Sequence, residues 1–170
     1  MDFVEVVHSG SQLGIFVCGQ FFPKLQRLDI TLADPGVGIR TNVRRFLNNS
    51  EISSVDAIRW ALQEGHTTKS GAIPGGLGLK SLHEFISLNG GKIQIVSRQG
   101  FYEFQKNQEA FDKMDADFPG TVVNLEINTD DNHSYGLTSE ASPRLRRHLN
   151  LNVTASLVHG NKIWCTFVLD

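Results

Sequence analysis

The stretch Leu28-Asp29-Ile30-Thr31-Leu32-Ala33-Asp34-Pro35-Gly36-Val37-Gly38-Ile39 decides how the chain is read. Leu28, Ile30 and Leu32 alternate with Asp29 and Thr31, and a period of two separates the faces of a strand. Asp34-Pro35-Gly36 then stops that strand abruptly. The pattern predicts a carboxylate held at a strand end, followed by glycines that adopt positive φ or let a ligand approach the main chain. A carboxylate there suits an exocyclic amino group, because it only accepts hydrogen bonds. Taken alone, the same residues also read as an ordinary Asp-Pro-Gly turn.

On the N-terminal side, Gly14 to Phe22 is rich in β-branched and aromatic residues and is broken by Pro23-Lys24, so it reads as a strand neighbouring Leu25 to Ala33. On the C-terminal side, Val55 to Glu64 predicts a helix, with Ser54 or Asp56 near its start and Gly65 past its end. Gly65 to Gly78 lacks periodicity and reads as a long loop, of the kind that is functional or disordered. Leu79, Leu82, Phe85, Ile86 and Leu88 form a helical stripe within Leu77 to Leu88, ended by Asn89-Gly90-Gly91. Lys92 to Arg98 predicts a strand, Gln99-Gly100 a turn, and Phe101 to Phe104 the start of the return. Thr121 to Ile127 alternates again, and Val153 to Leu169 reads as two strands joined at His159-Gly160-Asn161-Lys162. This order predicts an α+β sandwich with helices on one face of a mixed sheet.

The bulk properties narrow the function classes. At 170 residues the chain is the size of one domain, and its net charge of −2 gives no broad field to steer nucleic acid or a membrane surface. The cysteines, Cys18 and Cys165, are too few for a disulfide framework or zinc cluster and read as buried thiols. No segment approaches the ~18 apolar residues of a membrane helix. The acidic start Met1-Asp2-Phe3-Val4-Glu5 lacks the pattern of a signal peptide, so a cytoplasmic protein is expected. His133, His148 and His159 lack ligand spacing, and no metal site is expected of them. Arg144-Leu145-Arg146-Arg147-His148 reads as a solvated basic patch, His83 as a partly buried structural histidine, and Trp60 and Trp164 as packing residues.

A second glycine cluster, Gly75-Gly76-Leu77-Gly78-Leu79, directly precedes the second helix. Backbone N–H groups at a helix start, with the helix dipole, favour an anion, although a flexible loop closing onto a helix gives the same pattern. A Walker loop does not fit, because Leu79 separates Gly78 from Lys80-Ser81. A dinucleotide fingerprint fails because Thr41 stands where a third glycine is required.

In order and spacing the two clusters resemble the GHKL ATPase superfamily of gyrase, heat-shock chaperones, histidine kinases and mismatch-repair proteins. Leu28 to Ile39 is similar to its first glycine box, Gly76 to Leu82 to the second, and Phe118 to Leu125 to its terminal glycine-threonine strand. Asp56 to Lys69 is similar to a stretch of stand-alone bacterial ATP-binding proteins of this kind. The resemblance covers about residues 5 to 128. It implies a two-layer sandwich of Bergerat type, a histidine kinase-like ATP-binding domain over residues 1–128, and a C-terminal extension over 129–170. It further implies that Asp34 accepts from the adenine amino group of ATP or ADP, and that Thr121 reaches the base directly or through water. Gly36, Gly38 and Ile39 would wall the pocket. Gly76, Leu77, Gly78 and Leu79 would offer amides to the phosphates, and Thr67, Thr68 and Lys69 would lie in a lid near the terminal phosphate.

One departure bears on turnover. His8-Ser9 matches the end of the family's first motif, which places its Mg²⁺-holding asparagine position on Val4 and its glutamate position before Met1. Valine offers no oxygen to a hard cation. A fragment lacking its first helix, a degenerate member and a slipped alignment all fit this departure. Nucleotide binding is therefore expected, hydrolysis is in doubt, and no catalytic residue is assigned. The alternatives are a protein kinase of the histidine kinase or anti-sigma type and a non-enzymatic scaffold that kept the fold. A protein partner or homodimer is expected in each case.

Overall fold

The computed structural model describes residues 14–63, 66 and 79–130, and the backbone of strands at 152–157 and 163–168. The described residues form an α+β fold. Strand β1 (Phe16–Phe22) leads through a short 3-10 turn at Pro23–Leu25 into β2 (Arg27–Asp34). Helices α1 (Gly38–Leu47), α2 (Ser54–Ala61) and α3 (Leu79–Asn89) follow, then β3 (Lys92–Gln105) and β4 (Gln108–Asn128). The first four strands form one sheet in the order β1-β2-β4-β3. A separate antiparallel pair, β5 (Asn152–Leu157) and β6 (Ile163–Val168), matches the expected C-terminal hairpin.

Each strand of the main sheet is antiparallel to its neighbours, whereas the sequence reading expects a mixed sheet. The difference lies in connectivity. β4 returns from β3 by a hairpin and slots between β2 and β3, so no right-handed crossover joins parallel neighbours within the described strands.

The alternation read from the sequence sorts the sheet into two faces. Leu28, Ile30, Ile93, Ile95, Val123 and Leu125 are buried and pack with Ile58 of α2 and Ile86 of α3. All three helices therefore lie on one face. On the other face, Arg27 pairs with Asp29 at 2.8 Å and Glu126 at 3.4 Å, Lys92 also pairs with Glu126, and Thr31 donates to Asn124 at 2.7 Å. One apolar face, and an opposite face that is polar apart from the row Phe16–Ala33–Val122–Val96, fit an antiparallel sheet covered by helices on a single side.

The helix boundaries follow capping chemistry. Ser53 caps α2, its hydroxyl accepting from the Asp56 amide at 3.0 Å and donating to the Asp56 carboxylate at 2.7 Å. At the end of α3, Asn89 clasps Asn128 of β4. The Asn89 side chain accepts from the Asn128 amide at 2.7 Å and donates to its carbonyl at 2.9 Å, and the Asn128 side chain donates back to the Asn89 carbonyl at 2.9 Å.

Three local expectations need correction. Cys18, expected to be a buried thiol, is exposed on β1. The turn predicted at Gln99-Gly100 is instead a register shift within β3, and the chain reverses at Lys106-Asn107, whose φ values of 53° and 59° suit a two-residue hairpin turn. Gly100 is a packing glycine, since an added Cβ would stand 2.8 Å from both Ile58 and the Ser54 carbonyl. Beyond that shift the hairpin packs against the helices, with Phe111 under Arg59 and Phe104 against His83. Helix α1 is also absent from the sequence expectation. Its residues Gly38-Ile-Arg-Thr-Asn-Val-Arg-Arg-Phe-Leu47 begin with a glycine of the glycine box, which reads as a turn, but carry Ile39, Val43, Phe46 and Leu47 at helical spacing. Tertiary contact holds this helix in place: Val43 is almost wholly buried, and Arg44 Nε donates to the Ile52 carbonyl at 2.9 Å.

Candidate functional site

On three adjacent strands the inward apolar row ends in a polar residue at the same level of the sheet. In β2, Leu28, Ile30 and Leu32 are followed by Asp34; in β4, Val123 is preceded by Thr121; in β3, Ile93 and Ile95 are followed by Ser97. The registers place Asp34 opposite Thr121 and Thr121 opposite Ser97. A polar row, Asp34–Thr121–Ser97, thus crosses the sheet beside the start of α1.

Ser97 is the hub of this row. Its buried hydroxyl accepts from the Ile39 amide at 2.8 Å, donates to the Gly120 carbonyl at 2.9 Å and lies 3.1 Å from the Thr121 hydroxyl. A serine hydroxyl has a single proton. With that proton on the Gly120 carbonyl, the Thr121 hydroxyl donates across the 3.1 Å contact. The Thr121 hydroxyl then has only lone pairs left to offer.

Glycines let these elements converge. Gly38 has φ +78° and is buried, and an added Cβ would stand 3.0 Å from both the Gly120 carbonyl and Ser97 Oγ. Gly120 has φ +115°, and an added Cβ would collide with the Asp34 carbonyl. Both conformations disfavour any other residue. The start of α1, the end of β2 and the Gly120-Thr121 bend are therefore pressed together at main-chain distance. Arg98, with φ +55°, flanks the same point and pairs with Asp117 at 2.5 Å.

Asp34 is the unsatisfied member. Its Oδ1 is shielded from solvent and has no hydrogen-bond partner among the described residues. Burying an unpartnered carboxylate oxygen costs free energy, so the position is explained when something donates to it. An ionised carboxylate only accepts, and a complementary ligand group must be an N–H or O–H donor.

Of the residues read from the sequence as nucleotide contacts, Asp34, Gly38 and Thr121 come together here, with half-buried Gly36 in the short connection between β2 and α1. The Ile39 side chain packs on the core, and its amide is what joins the site, through Ser97. Leu79 begins α3 and also packs on the core. Thr67, Thr68, Lys69, Gly76, Leu77 and Gly78 lie outside the described residues, as does Val4. Sequence reasoning missed Ser97, although the signal was present: it is a small hydroxyl continuing the apolar row of Ile93 and Ile95.

The other titratable cluster lies apart, on α3 and the far hairpin. His83 Nε2 is 3.3 Å from Glu109 Oε1, and Tyr102 donates to the same oxygen at 3.1 Å. Burial pushes the His83 pKa down against the opposing pull of Glu109, and burial pushes the Tyr102 phenol up. As read from the sequence, His83 is a partly buried packing histidine, lying on the Phe104 ring.

Among the described residues, no helix is long and apolar enough to cross a membrane. No protein-family model matches the chain, and no curated protein matches it.

Proposed function

We propose that this chain is an adenine-nucleotide-binding protein of the GHKL type, with a Bergerat-like sandwich whose base pocket is centred on Asp34. The observation that carries this reading is the shielded, unpartnered Oδ1 of Asp34, set opposite Thr121. The adenine amino group is a donor of the required kind, and Asp34 accepts from it. The remaining lone pairs of Thr121 accept from a water that donates its other proton to the acceptor nitrogen beside that amine. Gly38 and Gly120 keep side chains out of the space where the main chain closes. ATP or ADP is the expected ligand, and binding of the base does not depend on Mg²⁺, because the groups named here touch none of the phosphates.

Calorimetric titration with ADP, with and without Mg²⁺, tests the reading. Binding that persists without Mg²⁺ and is weakened at least about tenfold in Asp34→Asn supports it, since the amide has no charge and only one acceptor oxygen in place of two. No heat at high protein concentration would sink it and leave the scaffold reading.

A further inference from the structure

Of the polar row, Ser97 is the one member with no assigned role, and the geometry gives it one. We propose that Ser97 is a positioning residue that sets base specificity by holding the proton of the Thr121 hydroxyl. The proposal rests on the adenine-pocket reading above.

The reasoning is a donor count. Ser97 is buried, and its oxygen already receives the Ile39 amide while its proton goes to the Gly120 carbonyl. Its remaining acceptor capacity faces Thr121 Oγ1 at 3.1 Å. That contact consumes the only proton Thr121 has. The pocket wall then presents acceptors at both Asp34 and Thr121, and no donor. A 6-amino purine donates to that wall and is accepted. A 6-oxo purine turns its carbonyl oxygen toward the Asp34 acceptor and its ring N–H toward the proton of the Thr121-held water, and it is rejected because acceptor meets acceptor and donor meets donor. Without Ser97 the Thr121 proton is free to turn outward and donate to the water, which can then accept from the ring N–H of a 6-oxo purine. The same hydroxyl also ties the amide of Ile39, the second residue of α1, to the Gly120 carbonyl, so it couples the helix start to the base-reading strand.

The test measures Kd for ADP and for inosine diphosphate on the full chain, for the wild type, Ser97→Ala, Ser97→Cys and Ser97→Thr. Cysteine keeps the buried volume but is a poor acceptor, so the measurement survives if the alanine variant does not fold. The expected result is that the ratio of the two Kd values narrows by about tenfold, the worth of roughly one hydrogen bond, in Ala and Cys. Threonine, which keeps the hydroxyl, retains the wild-type ratio. Ala and Cys variants that weaken both ligands alike, or change neither, would overturn the role of Ser97 while leaving the adenine pocket standing. A wild-type chain that binds neither ligand would overturn both.

Discussion

Asp34 and Thr121 face each other directly across the β2–β4 ladder, although one ends an early strand and the other begins the inward row of a late one. The carboxylate keeps an unpartnered buried oxygen, whereas the hydroxyl is tethered to Ser97. This asymmetry separates what the site does for a ligand from what it does for the fold.

Asp34→Asn is expected to weaken ADP binding by at least about tenfold, because a hydrogen bond to a charged acceptor is worth roughly 1.5–3 kcal/mol. The same change is expected to raise the stability of the free protein by about 1 kcal/mol, since a neutral amide costs less to bury than an unpaired carboxylate. Calorimetry and urea denaturation measure the two effects. Opposite signs mark a residue kept for binding at the expense of stability.

Gly120→Ala is expected to destabilise most among the site glycines, by about 3 kcal/mol or more, because left-handed strain adds to a collision with the Asp34 main chain. Gly38→Ala follows at roughly 2 kcal/mol, its neighbours at 3.0 Å needing to give way less than the Asp34 main chain does at Gly120. Gly90→Ala, where the nearest atom is 3.6 Å away, costs about 1 kcal/mol from backbone strain alone. Urea midpoints should rank the three in that order.

Asn89→Ala removes two side-chain hydrogen bonds to Asn128 and strips the buried amide and carbonyl they satisfy. A loss of about 2–3 kcal/mol is expected, read by chemical denaturation. Ser53→Ala at the α2 cap is the milder comparison, at about 1 kcal/mol.

His83 is expected to make stability fall at acid pH. Its pKa is lowered in the folded protein by burial, against Glu109 and Glu84, which raise it, and with Lys80, which lowers it further. The unfolded chain therefore binds a proton first. Stability from this group is unchanged above about pH 6.5 and declines as pH falls through that value toward the lower folded pKa. His83→Leu should show a smaller drop in urea midpoint between pH 7.5 and 5.5 than the wild type.

How much of this was legible in the sequence depends on distance along the chain. The period-two rows of Leu28 to Leu32, Ile93 to Ile95 and Val123 to Ile127 determined the strands and their buried face, because alternation is a local property of an extended backbone. The strand end at Asp34-Pro35-Gly36 and the helix end near Asn89-Gly90 were equally local. Helix α1 was missed although Ile39, Val43, Phe46 and Leu47 fall at helical spacing, because the glycine box at its start reads as a turn; the burial of Val43 and the Ser97 bond to Ile39 hold it in place. Gly100 read as a turn because a glycine needed for close packing and one needed for reversal look identical in sequence; only contact with Ile58 and Ser54 tells them apart. Sequence by itself thus determined that Asp34 is a carboxylate at a strand end and that Thr121 lies in an extended segment, although β4 begins well before it, at Gln108. Only the tertiary structure decided that they stand opposite each other, that Ser97 completes the row, and that one oxygen of Asp34 is left without a partner. The reason is physical: register and hydrogen-bond satisfaction are relations between distant segments, fixed when the sheet assembles, and no single segment carries them.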